Sequence, residues 1–557
     1  MPETYAMMGA SRRGPGIALV ILFWALVTVL WFGSLTARDL AGTDEGRYSE
    51  IAREMALTGD YVTPRLDGLK YFEKPALQYW LTALSFKAFG QSEFVARLWP
   101  GLFGFLTVLL VGFTARRLWG GEVGRYAALT TVSMVWMQGV SHVITVDMAV
   151  SFFLTVALCG FLLAQDDRTP ESERRPWMLL VWAAMAAATL SKGLIGIVIP
   201  GAALVFYSLC YRDFKPWTRM QWIWGPVVLL ALGAPWFVLA SLHNAEFAHF
   251  FFIHEHFERF ATNEAHRPGG WYYFIPILVG GLLPWTTLLP SLTRYAAAPE
   301  AGARFQANRL LLVWCVFIFV FFSLSGSKLP GYILPMFPAL GLLLGRMLAR
   351  APDNILRRHA WIIAALFTAG AVYAPFFGRT GSERTPVEYN HAASQWVLVA
   401  ALSVVLLSII AARMATRSRK QASVMWLSLA GAVFAALAMF GYQVYSPVVS
   451  AKNAALAMQP YLRPDVPVFS VSQYDQTLPF YLKRTVTLVN YVDEFHLGET
   501  VEPNLWIPTL NEFARHWRAA PEALALTGQD TYEQLAKMGL TMTIIYRDPR
   551  RIVIKKP

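Results

Sequence analysis

Apolar runs long enough to cross a membrane recur along the first 441 residues of this chain. Hydrophobic residues make up 55% of the sequence and charged residues only 15%, a composition that excludes an ordinary soluble protein. About twenty apolar residues in a helix span the hydrocarbon core of a bilayer. We therefore predict a polytopic α-helical membrane protein with about thirteen transmembrane helices. The runs lie near residues 16–35, 97–115, 125–142, 148–165, 177–192, 194–211, 223–241, 271–293, 308–325, 330–348, 360–377, 396–412 and 424–441.

The charge of the connecting loops predicts the orientation of these helices. Lys and Arg concentrate in alternate loops, as in Arg116-Arg117 and Arg174-Arg175, provided that the shorter run 76–90 is an interfacial helix. The N-terminus and the basic loops then lie on the inner side of the membrane, and the large first loop, residues 38–96, lies on the outer side. The net charge of +12 follows from this topology, so we expect no nucleic-acid partner.

The first apolar run resembles a secretory signal peptide in position, because Arg12 and Arg13 precede it. Its length of about twenty residues exceeds a typical signal core. We expect an uncleaved first transmembrane helix.

Residues 442–557 have the composition of a soluble α/β domain. Runs such as 467–471, 485–489, 541–546 and 551–555 favour strands, and 531–538 favours a helix. No glycine-rich phosphate loop, nucleophile elbow or metal-ligand spacing occurs there, so we expect a lid or scaffold on the outer side of the membrane. The three cysteines, Cys159, Cys210 and Cys315, lie in apolar runs, so no disulfide framework is predicted.

Charged residues gather near the predicted outer ends of the helices. An acidic doublet, Asp44-Glu45, follows the first helix. A carboxylate beside hydrocarbon loses hydration, so the doublet either faces water or lines a cleft where a cation, proton or sugar offsets that cost. The other members are Glu73, Lys74, Asp147, Lys192, His254, His256, Arg259, Arg267 and Lys328. Their common side of the membrane predicts a single site.

The order of these motifs resembles the GT-C superfamily of glycosyltransferases that use lipid-phosphate sugars. The motifs are Asp44-Glu45 with Arg47-Tyr48, residues 71–75 (YFEKP), Asp147, residues 254–260 (HEHFERF) and residues 327–332 (SKLPGY). Within that superfamily they are most similar to the aminoarabinose transferases that modify lipid A, which are related to the protein O-mannosyltransferases.

This resemblance implies a bacterial inner-membrane enzyme that moves 4-amino-4-deoxy-L-arabinose from undecaprenyl phosphate to a phosphate of lipid A. The modification removes negative charge and confers resistance to polymyxin-type peptides. The expected partners are the lipid-linked donor, lipid A and membrane lipids, and the expected state is a monomer. The short cytoplasmic loops contain no nucleotide signature, which agrees with an activated sugar that arrives in the membrane.

The chemistry of transfer assigns an expected role to each charged residue. A departing lipid phosphate needs cations, and we expect Lys74 and Arg259 to supply them, although each could instead extend towards lipid headgroups. Asp44 is expected to orient the sugar amine or stabilise the oxocarbenium-like state, with Asp147 facing it and Glu45 beside it. Asp147 could alternatively cap a helix. Further expected substrate contacts are Tyr71, Lys192, Arg267, Lys328 and Tyr332.

A divalent metal is a further hypothesis, and no other cofactor is expected. Glu73, His254 and His256 offer one oxygen and two nitrogen ligands, a set that suits zinc. Histidines two residues apart face one side only in an extended segment, so joint ligation requires that residues 254–256 are not helical.

Two other functions compete with the lipid A transferase. A sister enzyme could move mannose or another hexose from a polyprenyl phosphate to a protein or a glycan. A transporter of lipid-linked sugars is the other alternative, but transporters place ionisable residues at mid-membrane, whereas here the acids lie at helix ends.

Overall fold

The computed structural model describes residues 16–258, 269–416 and 419–557, with the backbone alone at 256–258. The helices of the membrane region are α1 (Ile17–Gly33), α2 (Gly42–Thr58), α3 (Leu77–Phe89), α4 (Glu93–Trp119), α5 (Gly121–Ser133), α6 (Val135–Ser141), α7 (Val146–Gln165), α8 (Glu171–Lys192), α9 (Ile195–Tyr211), α10 (Lys215–Thr218), α11 (Trp224–His243), a π-helix (His249–Glu258), α12 (Phe274–Gly281), α13 (Leu289–Ala297), α14 (Ala307–Leu324), α15 (Met336–Arg350), α16 (Asp353–Phe377), α17 (Val387–Thr416) and α18 (Lys420–Tyr442). Short 3₁₀ turns occur at Ser34–Thr36, Thr286–Leu288, Pro330–Ile333, Gln443–Tyr445, Gln459–Tyr461, Asp493–Phe495 and Pro503–Leu505.

The helical membrane region agrees with the predicted fold class. Within the described ranges, 9 helices are long and apolar enough to cross a membrane, or 10 if one bent pair counts as a span. That pair comprises Phe274–Gly281 and Thr286–Ala297, bent by 109°, and Pro284, which has no backbone N–H, lies between them. The predicted run 125–142 is divided between α5 and α6. The count of about thirteen spans stays a prediction.

The first loop folds into two helices and a hairpin. α2 begins at the acidic doublet and ends before Gly59, whose φ of 75° suits glycine. The strands β1 (Arg65–Leu66) and β2 (Leu69–Lys70) are joined by Asp67 and Gly68, both at positive φ, as in a tight two-residue turn. α3 confirms the predicted helix at 76–90.

The C-terminal region forms the predicted α/β domain. Its strands are β3 (Val468–Val471), β4 (Thr487–Val489), β5 (Leu524–Thr527), β6 (Thr543–Arg547) and β7 (Ile552–Lys555), in the sheet order β4-β3-β5-β7-β6. β3 pairs in parallel with β4 and β5, whereas β7 is antiparallel to β5 and β6. The helices are α19 (Ser446–Val449), α20 (Lys452–Met458), α21 (Leu478–Leu482), α22 (His496–Val501), α23 (Leu510–Ala519) and α24 (Gln529–Lys537). β5 and α23 were not among the predicted elements.

A shared apolar core fixes the C-terminal domain to the first loop. Tyr48, Tyr71 and Tyr79 of the first loop belong to the same buried cluster as Phe480 and Leu488. Gly46 of α2 lies so close to the backbone at Gln476 that a Cβ atom would come within 2.2 Å of it. The domain therefore packs directly against the acidic start of α2.

Cys159, Cys210 and Cys315 are free thiols.

Candidate active site

Glu45 is the centre of a buried ion network in the first turn of α2. Arg38 donates to its two carboxylate oxygens at 2.5 and 2.9 Å, and Arg97 of α4 donates to both at 2.9 Å. The main-chain N–H groups of Ala41 and Ile144 donate to the same carboxylate. Burial alone would raise the pKa of Glu45, but the two guanidinium groups hold it well below its ordinary value. Because Arg38 and Arg97 bind both of its carboxylate oxygens, Glu45 can act as an anchor, a buried ion-pair centre that fixes the start of α2.

Asp44 lies on the more exposed side of the same turn. It faces Tyr48 and Tyr79, whose rings lie 5.6 Å apart. Burial raises the pKa of both phenols well above 10, and the charge of Asp44 raises it further. Asp44 therefore lies beside phenols that stay neutral and can donate hydrogen bonds.

Lys74 lies between two carboxylates at the edge of the first loop. Its Nζ donates to the main-chain oxygen of Glu73 at 2.8 Å and to the carboxylate of Glu255 at 3.2 Å. The carboxylate of Glu73 is 3.8 Å away. The Lys74 side chain is 19% exposed, so a charged ligand can reach this ammonium group.

Arg47 connects the first loop to the C-terminal domain at the same place. It donates to the Tyr71 hydroxyl at 3.1 Å and to Glu494 of the C-terminal domain at 2.9 Å, and it lies 4.0 Å from Glu73. Tyr71, predicted as a substrate contact, is almost fully buried and contacts this guanidinium group. Sequence reasoning quoted Arg47 in a motif but assigned it no role in the site.

Tyr79 was missed entirely, although its geometry points to a ligand. Its hydroxyl is buried and has no hydrogen-bond partner among the described residues. An unsatisfied buried hydroxyl costs about 1–3 kcal/mol, and the charges of Arg47, Glu73 and Asp44 all act on this phenol. The sequence offered one signal for Tyr79, the polar face of the helix at 76–90. Only the apolar face of that helix was considered in the sequence analysis.

A second charged group surrounds Asp147, in the first turn of α7. Asp147 forms an ion pair with Lys192 at the end of α8, and Lys192 Nζ lies 4.2 Å from the ring centroid of Tyr332. A Cβ atom on Gly331 would come within 2.1 Å of the Asp147 carboxylate, so only glycine fits there. The N-cap of α7 is Thr145, which accepts from the N–H of Asp147; Asp147 is therefore not the capping residue.

Lys328 lies three residues before Gly331 of this group, and its ammonium group binds the main chain. Its Nζ donates to the main-chain oxygen of Ser325 at 2.6 Å, and the side chain is buried. Its aliphatic part approaches Gly269, where a Cβ atom would lie 3.0 Å from it. The adjacent Ser327 hydroxyl is buried without a hydrogen-bond partner in the described ranges.

Core packing relates the two groups. The Ile144 N–H that binds Glu45 comes three residues before Asp147, so the anchor that holds Asp44 also fixes the start of α7. Ile144 and Val146 pack in the same cluster as Tyr48 and Tyr79. The structure thus ties Asp44 and Asp147 to one scaffold.

The remaining predicted residues lie close to residues 259–268 or within them, and the structure does not describe that segment. Arg259, Arg267 and the side chain of His256 lie outside the described residues. His254 lies in the π-helix His249–Glu258, so the extended conformation required for two histidines to face one ion is not adopted. Across the described ranges, no three side chains of His, Cys, Asp or Glu are grouped as a metal site. The metal set Glu73, His254 and His256 stays a prediction.

Two family models match separate parts of the chain. The model described as dolichyl-phosphate-mannose-protein mannosyltransferase matches residues 16–251, and the aminoarabinose transferase C-terminal domain matches residues 454–556. The second match coincides with the domain that carries Glu494.

Curated relatives agree with these models. The undecaprenyl phosphate-alpha-4-amino-4-deoxy-L-arabinose arabinosyl transferase of Pectobacterium carotovorum is 30% identical over 82% of this chain and 80% of its own length. The enzyme of the same name from Erwinia tasmaniensis is 32% identical, and its alignment covers 64% of each chain, slightly less than two thirds of that relative.

Solved structures extend the similarity to almost the whole chain. The crystal structure of ArnT from Cupriavidus metallidurans bound to undecaprenyl phosphate has 36% identity and a TM-score of 0.93, covering 98% of this chain and 99% of that one. An oligosaccharyltransferase of Archaeoglobus fulgidus, at 11% identity and a TM-score of 0.50, shares the fold alone. This chain therefore belongs to the undecaprenyl phosphate-alpha-4-amino-4-deoxy-L-arabinose arabinosyl transferase family of GT-C glycosyltransferases, as its motifs implied.

Proposed function

We propose that this protein transfers 4-amino-4-deoxy-L-arabinose from undecaprenyl phosphate to a phosphate of lipid A, at the periplasmic face of the bacterial inner membrane. The similarity to a structure bound to undecaprenyl phosphate, over 98% of the chain, carries this proposal. The loss of negative charge from lipid A would produce polymyxin resistance. The charge distribution of the loops supports the periplasmic orientation, and we expect a monomer.

Lys74 is the residue proposed to hold the donor phosphate. Bond breaking at the anomeric carbon leaves the electron pair on the phosphate oxygen of undecaprenyl phosphate, so a cation there stabilises the transition state more than the ground state. In the structure Lys74 contacts the Glu255 carboxylate at 3.2 Å. A phosphate can take that anionic position, and Arg259 is proposed to assist it.

Asp44 is proposed to orient the sugar. Its position beside Tyr48 and Tyr79 supports this role, because an acid can bind the sugar amine while phenols donate to ring hydroxyl groups. The Tyr79 hydroxyl, which has no hydrogen-bond partner among the residues that the structure describes, is the best candidate for such a donor. Glu45 has both oxygens occupied by Arg38 and Arg97, so we propose a scaffold role in place of the catalytic role expected from the sequence.

Lys192 is proposed to receive the acceptor phosphate. Asp147 and Tyr332 fix its ammonium group, and Lys328 and Arg267 are proposed as further phosphate contacts. A phosphate acceptor is largely ionised near neutral pH because its second pKa is about 6. Its oxygen can attack the anomeric carbon without a base, so the carboxylates need only position the reactants and stabilise positive charge.

Mass spectrometry of lipid A tests the proposal. The chain is expressed in a polymyxin-sensitive bacterium that lacks its own transferase, beside Asp44→Ala and Lys74→Ala. The wild type should add the mass of aminoarabinose to lipid A. Each variant should produce at least about tenfold less modified lipid A, because a loss of about 1.4 kcal/mol of transition-state stabilisation slows transfer about tenfold.

Arg117→Gln is the matched control, because Arg117 lies in an exposed ion pair with Glu173 and far along α4 from Arg97. It should modify lipid A like the wild type at equal expression. A folded wild type that leaves lipid A unmodified would refute the proposal, and addition of a hexose mass would favour the sister transferase.

A further inference from the structure

An apolar cavity lies in the half of the membrane bundle away from the candidate active site. It measures about 210 Å³ and lies between α7, α8, α9 and α14. Asp147 and Lys192 mark one end of α7 and α8, whereas Trp217, Met220 and Trp222, which follow the opposite end of α9, line the cavity. A cavity of about 150 Å³ lined by aliphatic side chains can hold a benzene ring, so this one has room for part of an acyl chain.

Tryptophan side chains give the cavity a rigid wall. Trp217 and Trp222 stack at 6.0 Å, and Trp182 lies against Trp222 edge-to-face at 5.8 Å. The Trp182 Nε1–H donates to the Met220 carbonyl at 2.7 Å, and the Trp222 Nε1–H donates to the Trp217 carbonyl at 2.8 Å. With these donors satisfied, the rings present apolar faces to the cavity.

The cavity reaches the surface of the protein at Gly201 and Trp222. Both residues line it, both are exposed, and Trp222 is 52% exposed. A Cβ atom on Gly201 would meet nothing within 4 Å, so no close packing requires this glycine.

Arg219 lies at the margin of the cavity, near enough to Arg174 and Arg304 for their charges to act on it. Arg219 lies between two lining residues, Trp217 and Met220. Burial lowers the pKa of Arg219, and the like charges of Arg174 and Arg304 lower it further, whereas Asp167 and Glu171 act in the opposite direction.

The hydrogen bonds of these arginines leave their positive charge available. Arg174 and Arg219 donate to main-chain carbonyl oxygens of Thr169 and Gln165, and Arg304 is exposed. Clustered guanidinium groups with carbonyl partners attract an anion.

We propose that this cavity and the adjacent arginines bind one anionic glycerophospholipid from the leaflet opposite the candidate active site. One acyl chain lies among the tryptophans, and the headgroup phosphate lies against Arg219, Arg174 and Arg304. The opening at Gly201 admits the chain from the bilayer. This site is separate from that of the sugar donor and does not depend on the proposed transfer reaction.

Native mass spectrometry of the purified full-length chain tests the site. The protein is stripped of lipid and incubated with equal amounts of phosphatidylglycerol and phosphatidylethanolamine that have identical acyl chains. The wild type should retain one phosphatidylglycerol in preference to phosphatidylethanolamine. Arg219→Gln should reduce that preference about tenfold, because the charged headgroup contact is lost while the cavity stays open.

Gly201→Leu tests the acyl-chain part of the site, and Gly201→Ala is its matched control. Leucine should cover the opening and abolish retention of both lipids, whereas alanine should behave like the wild type. Equal retention by these two folded variants would overturn the proposal. An unchanged headgroup preference in Arg219→Gln would also overturn it. So would a preference that disappears in Lys74→Ala, because that result would place the lipid at the candidate active site.

A fluorescence measurement covers the case in which Gly201→Leu does not fold. Phosphatidylglycerol with brominated acyl chains should quench the wild type more strongly than Trp222→Phe, and unlabelled phosphatidylglycerol should reverse the quenching. Equal quenching of the two proteins, or reversal by undecaprenyl phosphate alone, would contradict the proposed site.

Discussion

Two acidic clusters on α2 bury negative charge in opposite ways. At the start of the helix, one acid, Glu45, has two guanidinium partners, Arg38 and Arg97. Further along, Glu50 and Glu54 lie near Asp67 of the hairpin turn, and Arg53 is the cation that faces them. The first cluster has an excess of positive charge and the second an excess of negative charge.

The difference determines which cluster responds to pH. Arg38 and Arg97 hold the pKa of Glu45 well below its ordinary value, so Glu45 stays ionised across the physiological range. In the second cluster, burial and the neighbouring acids raise the pKa of Glu54 and bring that of Asp67 to about 8.

The second cluster also links two domains. Glu54 accepts from the N–H groups of Asp67 and Gly68 at 2.6 and 2.9 Å. Asp67 in turn accepts from the Val486 N–H at 2.7 Å and from the Tyr474 hydroxyl, both in the C-terminal domain. The contact of that domain with the first loop should therefore depend on protonation, whereas the anchor beneath Asp44 should not.

Arg97→Met should produce the largest loss of stability. It leaves Glu45 buried with one cation and removes donors to the main-chain oxygens of Leu35, Arg38 and Asp39. Removal of one partner from a buried ion pair costs about 3–5 kcal/mol. Thermal unfolding of the purified protein in detergent measures this loss. A decrease in stability below about 1 kcal/mol would show that the network is not an anchor.

The membrane helices and the α/β domain could be predicted because their signals are local. An apolar run of about twenty residues is visible without knowledge of its neighbours, and strands such as β3 have their own apolar pattern. β5 was missed although it is central in the sheet. It has only four residues, Leu524–Thr527, and its partners β3 and β7 are set by tertiary pairing.

The site could be predicted as a region, but the roles within it could not. Asp44 and Glu45 are adjacent in sequence, yet only Glu45 faces Arg97, which is 52 residues away. Tyr79 became a candidate through burial and a missing hydrogen-bond partner, and neither is visible in a sequence. By contrast, Asp147 and Lys192 were both predicted to lie near one face, and their ion pair places them together.

Arg53→Met should cost less than Arg97→Met, although Arg53 is also buried. Arg53 binds Glu50 and the main-chain oxygen of Lys483. The acids it leaves behind can take up a proton, because burial already raises the pKa of Glu50 and Glu54. We expect a loss of about 1–3 kcal/mol, typical of a lost buried hydrogen-bond partner. Unfolding under the same conditions as for Arg97→Met provides the comparison, and equal losses would refute the contrast between the clusters.

The stability of the wild type should fall as pH rises from about 5 to about 8. The pKa of Asp67 is raised from 3.8 to about 8 in the folded protein, so between those values the folded state binds a proton that the unfolded state has released. The unfolding free energy then decreases with pH and becomes constant above the folded pKa.

Asp67→Asn should weaken this decrease, since asparagine is neutral and also accepts the positive φ of the turn. Glu50 and Glu54, whose pKa values burial also raises, should account for the rest. Melting temperatures at several pH values measure the effect. An unchanged slope in this variant would assign the pH dependence to other groups.

Arg117→Gln should produce the smallest loss of stability, and it serves as the control for the other two arginine variants. Its ion pair with Glu173 has a short N–O distance, 2.7 Å, but the two side chains are 50% and 43% exposed. Water and salt screen such a pair, so its loss should cost at most about 1 kcal/mol. The difference in unfolding free energy between the wild type and Arg117→Gln should also decrease as the salt concentration is raised, because salt screens exposed charges. If Arg117→Gln destabilised the protein as much as Arg97→Met, loss of any arginine would be harmful, and the buried position of the Glu45 network would not explain its importance.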